Sequence, residues 1–301
     1  MSGKSRWIAA VLALILIVIA AGAMFFFRPV MSGLAAQQVS MWIHGVHSRY
    51  VQLGPYRIHY LVAGEGRPLV LVHGLGVRAE VWLPLIPSFT AKGFRVYAPD
   101  LLGYGRSDKP DVDYGIALQS DIVRQFLDSQ DLRQADVAGW SMGGWTSLKL
   151  AADSPQRVRR LILLDAAGMK FHAVNAAALR PTTVEELAGM MKVLTPHPPF
   201  IPRFIALDTL RTMKEQDWII ARAMTSMGTG KDLMDGRLQP VTMPVLIVWG
   251  REDVLTPLSI AEQMRREMPQ AQLFVAEGCG HLAPVECGDQ ILPAMLEFLT
   301  R

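Results

Sequence analysis

The stretch 135–144 reads ADVAGWSMGG. Its first part, Ala135–Ala138, is a short apolar run of strand length, and the residues from Trp145 to Ala152 carry a helical pattern. Between them lies Gly139-Trp140-Ser141-Met142-Gly143, a G-x-S-x-G in the strand-to-helix context that gives the pattern meaning. A strand that turns so sharply into a helix holds its central residue outward under strain. Side chains two positions away would collide with it, which requires glycine at 139 and 143. The helix start behind the turn also favours developing negative charge. Ser141 is therefore the candidate nucleophile.

Working outward, short apolar runs alternate with helix-like segments, the pattern of a mostly parallel sheet covered on both faces. Candidate strands are 57–62, 69–72, 95–98, 135–138, 161–164, 245–249 and 273–276. Candidate helices are 118–129, 145–152, 258–266 and 289–299. Residues 169–240 break the alternation and contain no convincing strand. Thr182-x-x-Glu185 there resembles a capping box ahead of LAGMMKVL, and PHPPFIP (196–202) interrupts the helices. Eight of the sixteen methionines lie between Met169 and Met243; methionine suits an adaptable apolar surface, although ordinary helix packing also accounts for them. These readings divide the chain into a core of residues 51–168 and 241–301 and a helical insertion, or lid, of residues 169–240.

A serine needs a base, and the base needs an orienting group. Of seven histidines, His281 sits in a glycine-rich loop after the last strand, EGCGH (277–281), from which an imidazole can cross the strand ends. His44 and His47 are juxtamembrane, His59 lies in an early strand, and His172 and His197 belong to the insertion; structural roles suit these five. Asp253, in WGRED (249–253), follows a strand and precedes His281 by 28 positions, the chain order of nucleophile, acid and base that this motif calls for. Asp165, at the end of LILLDAAG, is its rival, and Glu252 points to solvent. The turn VHGLG (72–76) can direct the Leu75 N–H at the same point as the Met142 N–H, forming an oxyanion hole. His73 is then a structural residue of that turn.

The first 28 residues carry a different signal. Trp7 to Phe27 is a 21-residue run without a charge, long enough to span a bilayer as a helix. Lys4 and Arg6 before it orient residues 1–6 to the cytoplasm, with the body on the non-cytoplasmic side. The competing reading is a signal peptide cleaved at Ala21-Gly22-Ala23, which would leave a secreted or periplasmic protein. Residues 29–50 form a juxtamembrane linker whose Met41-Trp42-Ile43 suits the lipid interface or an ordinary connection. The net charge of +3 is too small and scattered for a nucleic-acid surface. Half the residues are hydrophobic, which excludes a disordered polar chain. No metal-ligand spacing appears, no cofactor is implied, and neither charge nor motif specifies an oligomeric state.

Together HGLG (73–76), PDLLGYGRSDKP (99–110), GWSMGG (139–144), WGREDVLTP (249–257) and GCGHLAPVE (278–286) resemble the α/β-hydrolase superfamily over roughly residues 50–301. Within it the chain is most similar to membrane-anchored monoacylglycerol lipases and related bacterial lipases and esterases. The resemblance implies a sheet of about eight strands, of which seven are located above, and a Ser141–His281–Asp253 triad. It argues against the aspartate-nucleophile relatives. A non-catalytic binding protein is a remote alternative, because serine, acid and base are all present in order.

The expected substrate is a lipid ester such as a monoacylglycerol. The alternatives are a small soluble ester and a carbon–carbon bond hydrolase substrate. Trp140, Met169, Phe171 and Phe200 are the candidate substrate-binding residues. Arg180, Arg203, Arg211 and Arg222 form no compact cluster for a substrate carboxylate. Cys279 and Cys287 read as two free thiols, although export would permit a disulfide.

Overall fold

Strands form where apolar sequence runs without interruption. VLIVWG (Val245–Gly250) and ADVAGW (Ala135–Trp140) are buried at every position, as strands covered on both faces must be. The computed structural model describes residues 6, 7, 12, 22–171 and 176–301. In chain order its strands are β1 (His47–Leu53), β2 (Tyr56–Ala63), β3 (Arg67–Val72), β4 (Phe94–Pro99), β5 (Ala135–Trp140), β6 (Val158–Leu164), β7 (Val245–Gly250) and β8 (Gln272–Ala276). They form one eight-stranded sheet in the order β1-β2-β4-β3-β5-β6-β7-β8. β2 is antiparallel to β1 and β4; every other pairing is parallel.

The helices are α1 (Pro29–Ile43), α2 (Ile86–Ala91), α3 (Ile116–Ser129), α4 (Met142–Asp153), α5 (Val184–Leu194), α6 (Arg203–Gly228), α7 (Leu258–Glu267), α8 (Ala283–Glu286) and α9 (Gly288–Thr300). The period of two in each strand sends alternate side chains to opposite faces. Val70, Val72, Val137 and Ile247 join α3, α4 and α7 through Phe126, Leu148 and Met264. Leu69, Leu71, Ala138 and Val248 join the opposite layer, with Trp82, Phe89, Ile291 and Phe298.

The seven strands expected from pattern are present with slightly longer bounds. The eighth, β1, lies mostly within the stretch read as linker. Its burial pattern is exposed at the first four positions, so HSRYVQL has no alternation to betray it. The same stretch folds as α1, where Met41 is buried while Trp42 is 83% exposed. The run Trp7–Phe27 lies largely outside the described residues, as does His172. Among the described residues no helix is long and apolar enough to cross a membrane.

Between β6 and β7 the insertion contributes α5 and α6. The capping box falls one residue later than expected. Thr183 Oγ1 accepts from the Glu186 N–H at 3.1 Å, and Glu186 Oε2 accepts from the Thr183 N–H at 3.3 Å. Thr182 donates to that same carboxylate, which is why the two threonines are hard to tell apart in sequence. PHPPFIP separates α5 from α6, as its prolines require.

Candidate active site

The carboxyl ends of β3, β5, β6, β7 and β8 open on one edge of the sheet, where ligands bind in open parallel sheets. β5 runs into α4 through Ser141, whose φ of +56° and ψ of −119° few L-residues adopt. The conformation is held from both sides. The Ser141 N–H donates to Leu164 O at 2.9 Å, and its carbonyl accepts from Trp145 N at 3.1 Å and Ala167 N at 3.2 Å. A β-carbon on Gly139 would lie 2.2 Å from Gly143 O, and one on Gly143 would lie 2.3 Å from Val72 O. Both glycines are therefore required, as the sequence indicates.

His281 Nε2 lies 2.8 Å from Ser141 Oγ, and His281 Nδ1 lies 2.8 Å from Asp253 Oδ2. His281 and Asp253 are both buried. Asp253 sits in a loop that wraps its carboxylate. Oδ1 accepts from the N–H groups of Leu255 and Thr256 at 2.8 and 2.9 Å, and Oδ2 accepts from Thr256 Oγ1 at 2.6 Å. A carboxylate already accepting three times takes the imidazole as a further donor, so the proton is assigned to Nδ1 and Nε2 accepts from Ser141.

The rival acid is placed differently. Asp165 is wholly buried, accepts from the Gly250 N–H at 2.8 Å, and leaves Oδ2 without a partner among the described residues. Burial, and then the neighbouring Asp253 charge, push its carboxyl well above the usual range. A carboxyl kept neutral next to an acid–base pair does not compete for the imidazole.

Neither the Leu75 nor the Met142 N–H has a backbone partner among the described residues. Gly74, just before Leu75, adjoins Ser141: a β-carbon there would lie 3.3 Å from Ser141 Cβ. His73 serves the turn. Its Nδ1–H donates to Gly74 O at 2.8 Å, and Nε2 accepts from the Leu101 N–H at 2.9 Å. Burial lowers its pKa below the ordinary value of 6.5, against the opposing pull of Asp100. The unfolded chain thus binds a proton that folded His73 refuses. The stability His73 contributes is present above about pH 6.5 and is lost as pH falls toward the folded value. Urea midpoints at pH 7.5 and 5.5 are expected to fall with acidity, and a His73→Gln chain is expected to show a flatter profile.

The expected substrate residues are not all brought to this point. Trp140 is buried, and its Nε1 donates to the His281 carbonyl at 2.8 Å, so its indole braces the loop that carries the imidazole. Met169 lies within the core, and Phe171 packs partly buried against it. Phe200 is 90% exposed. Two site residues escaped the sequence reading. Thr256 bonds Asp253 and lies 3.1 Å from His281 Nδ1. Glu286 accepts from the Gly280 N–H at 2.8 Å and from the Thr195 hydroxyl, tying the His281 loop to the end of α5. A lone polar residue in a loop carries no sequence signal for such contacts.

The reading of Cys279 and Cys287 as free thiols is corrected: they form a disulfide, with Cα atoms 6.2 Å apart. The turn through His281 into α8 folds the chain back and supplies the separation that a bridge needs. Closing so short a loop stabilises by about 2.5 kcal/mol on the chain-entropy account. Reduction, or Cys287→Ser, is expected to lower the melting temperature by several degrees, as calorimetry would show. Among the described residues no group of three His, Cys, Asp or Glu side chains could hold a metal ion.

A cavity of about 450 Å³ opens within the insertion, walled by Leu179, Pro181, Leu207, Leu210, Met213 and Ile220, with Arg180, Arg211 and Lys214 also on its lining. Its inner end approaches the 73–76 turn, because Ile220 Cδ1 lies 3.5 Å from where a β-carbon on Gly76 would stand.

The chain belongs to the Alpha/beta hydrolase family, whose sequence model matches residues 69–294. It is 29% identical to the 2-hydroxymuconate semialdehyde hydrolase of Pseudomonas sp. strain CF600, over 79% of this chain and 88% of that one. It is also 29% identical to the pimeloyl-[acyl-carrier protein] methyl ester esterase of Aliivibrio fischeri, over 81% of this chain and 98% of that one. Among solved structures, a membrane phospholipase A described as a bacterial virulence factor superposes with a TM-score of 0.85 at 24% identity, covering 97% of this chain and 98% of that one.

Proposed function

We propose that this hydrolase cleaves carboxylic esters through an acyl-enzyme on Ser141, with His281 as base and Asp253 as its orienting acid. The observation that carries the reading is the unbroken relay from Ser141 Oγ through His281 to Asp253, at 2.8 Å in each link. Ser141 attacks the ester carbonyl as His281 Nε2 takes its proton. The oxyanion receives the Leu75 and Met142 N–H groups. The imidazolium faces Asp253 and then protonates the leaving alcohol, after which water, deprotonated by the same imidazole, releases the acid.

The substrate class proposed is a lipid ester such as a monoacylglycerol. The apolar walls of the insertion cavity suit an acyl chain, and the insertion acts as a lid over Ser141. The uncharged run Trp7–Phe27 tethers the protein to the membrane, with the catalytic domain on its non-cytoplasmic side. A disulfide beside the base is consistent with that compartment.

A carbon–carbon bond hydrolase is the second reading, favoured by the relative from Pseudomonas sp. strain CF600. Charge pairing counts against it. Arg180, Arg211 and Arg222 are engaged by Asp217, Asp208 and Asp111, which leaves fewer cations for a dienoate carboxylate. The test is hydrolysis of a monoacylglycerol chain-length series and of an aromatic dienoate by the full chain. Serine-dependent turnover peaking on medium or long acyl chains is expected. Turnover confined to short esters or to the dienoate would reject the lipid assignment.

A further inference from the structure

The first turns of α6 are gripped by the N-terminal segment. Asp208 is 2% exposed, and its carboxylate accepts from Arg28 Nε at 3.2 Å and from the Val30 N–H at 3.0 Å. The Val30 N–H belongs to the first turn of α1, whose unpaired donors need acceptors from elsewhere. One helical turn before Asp208, Phe204 stacks on Phe26 with ring centroids 5.4 Å apart and meets Phe25 edge-on at 6.1 Å. Residues four apart share one face of a helix, so Phe204 and Asp208 form a continuous contact strip. Its partners lie about 180 positions away in the chain. Leu207, Leu210 and Arg211, in the same turns of α6, line the insertion cavity, with Leu179 and Arg180 also on its lining.

We infer that Arg28 and Asp208 are positioning residues for this cavity. By clamping α6, the segment around Arg28 sets the space between α6 and residues 179–182, and with it the acyl chains that fit. The N-terminal segment thereby does more than tether: it is a structural part of the specificity device. This rests on the proposed acyl-binding role of the cavity. The geometry favours it over a role in folding alone. Asp208 is a buried carboxylate whose bonds to the N-terminal segment sit on the turns that form the cavity wall, and the Ser141–His281–Asp253 relay makes no contact with it.

The experiment is a double-mutant cycle on the full chain in detergent micelles, with Arg28→Gln, Asp208→Asn and both together. The readout is kcat/KM for a long-chain monoacylglycerol relative to a short soluble ester. Each single change is expected to lower the long-to-short ratio by roughly tenfold, with the short-ester rate nearly unchanged. The double change is expected to do no more than Asp208→Asn alone, because that change loses the Arg28 ion pair together with the one to Arg211. Unchanged ratios in all three chains, or fully additive losses, would overturn the inference.

Arg28 is half-exposed, so its variant keeps the test open should Asp208→Asn fold poorly. If the parent chain hydrolyses no long-chain ester, the lipid assignment fails by itself. Hydrogen exchange then tests the clamp directly. Exchange is expected to rise at residues 203–213 in both variants and to stay unchanged in β5 and β6; no rise would reject the clamp.

Discussion

Ser141→Ala is expected to fold as the parent does and to lose ester hydrolysis by roughly 10⁴-fold or more in kcat. The loss follows from what the hydroxyl does. Among the described residues it is the one hydrogen-bond partner of His281 Nε2, at 2.8 Å, and no other described hydroxyl stands at the turn of β5 into α4. The residual rate would come from the oxyanion donors and substrate binding alone. The fold should survive because the turn is held by backbone bonds of Ser141 and by the close approach of Gly139 and Gly143. Alanine keeps these contacts and leaves no charge stranded, though it inherits the positive φ. Steady-state kinetics beside a thermal melt would check both halves. A folded variant with full activity would remove Ser141 from the mechanism.

The second large effect separates the two buried aspartates. Asp253→Asn is expected to lower kcat by about 10⁴-fold, because an amide nitrogen facing Nδ1 drives the imidazole into the wrong tautomer. Asp165→Asn should cost less than about tenfold. Asparagine resembles the neutral carboxyl that burial and Asp253 impose at that site, and its oxygen can still accept from Gly250 N. The two variants also differ against pH. Folded Asp165 keeps its proton to a higher pH than the unfolded chain does, so it withdraws stability as pH rises through its folded value. An amide, which does not titrate, removes that slope, which should make the Asp165→Asn chain relatively more stable at alkaline pH. Equal activity losses in the two variants would mean that the acid is shared between them.

Much of this arrangement is legible in sequence because backbone geometry restricts it. The turn at Ser141 admits almost nothing but glycine at 139 and 143, and strands covered on both faces must read as apolar runs. Position along the chain then points to His281 as base and to Asp253 as acid, with Asp165 as its rival. What stays hidden depends on contacts alone. β1 is an edge strand with a mostly exposed surface, so HSRYVQL has no periodic signature. Thr256 and Glu286 act through one hydroxyl and one carboxylate whose partners appear only when loops meet. The bridge between Cys279 and Cys287 needed a Cα separation, which no spacing supplies. Trp140 reads in sequence as a substrate-binding candidate next to Ser141, not as a brace for the opposite loop. The clamp at Asp208 joins residues about 180 positions apart, beyond the reach of any local pattern.

The topology also imposes a timetable. Ser141 precedes His281 by 140 positions, and β7 and β8, whose ends carry the acid and the base, pair at the far edge of the sheet. A chain emerging from the ribosome or a translocation channel presents its serine long before the imidazole exists to activate it. On the proposed mechanism the nascent protein is therefore inert toward esters until β8 docks and the loop beyond it closes. A chain stopped between Asp253 and His281 would, on that mechanism, hold a serine without its base.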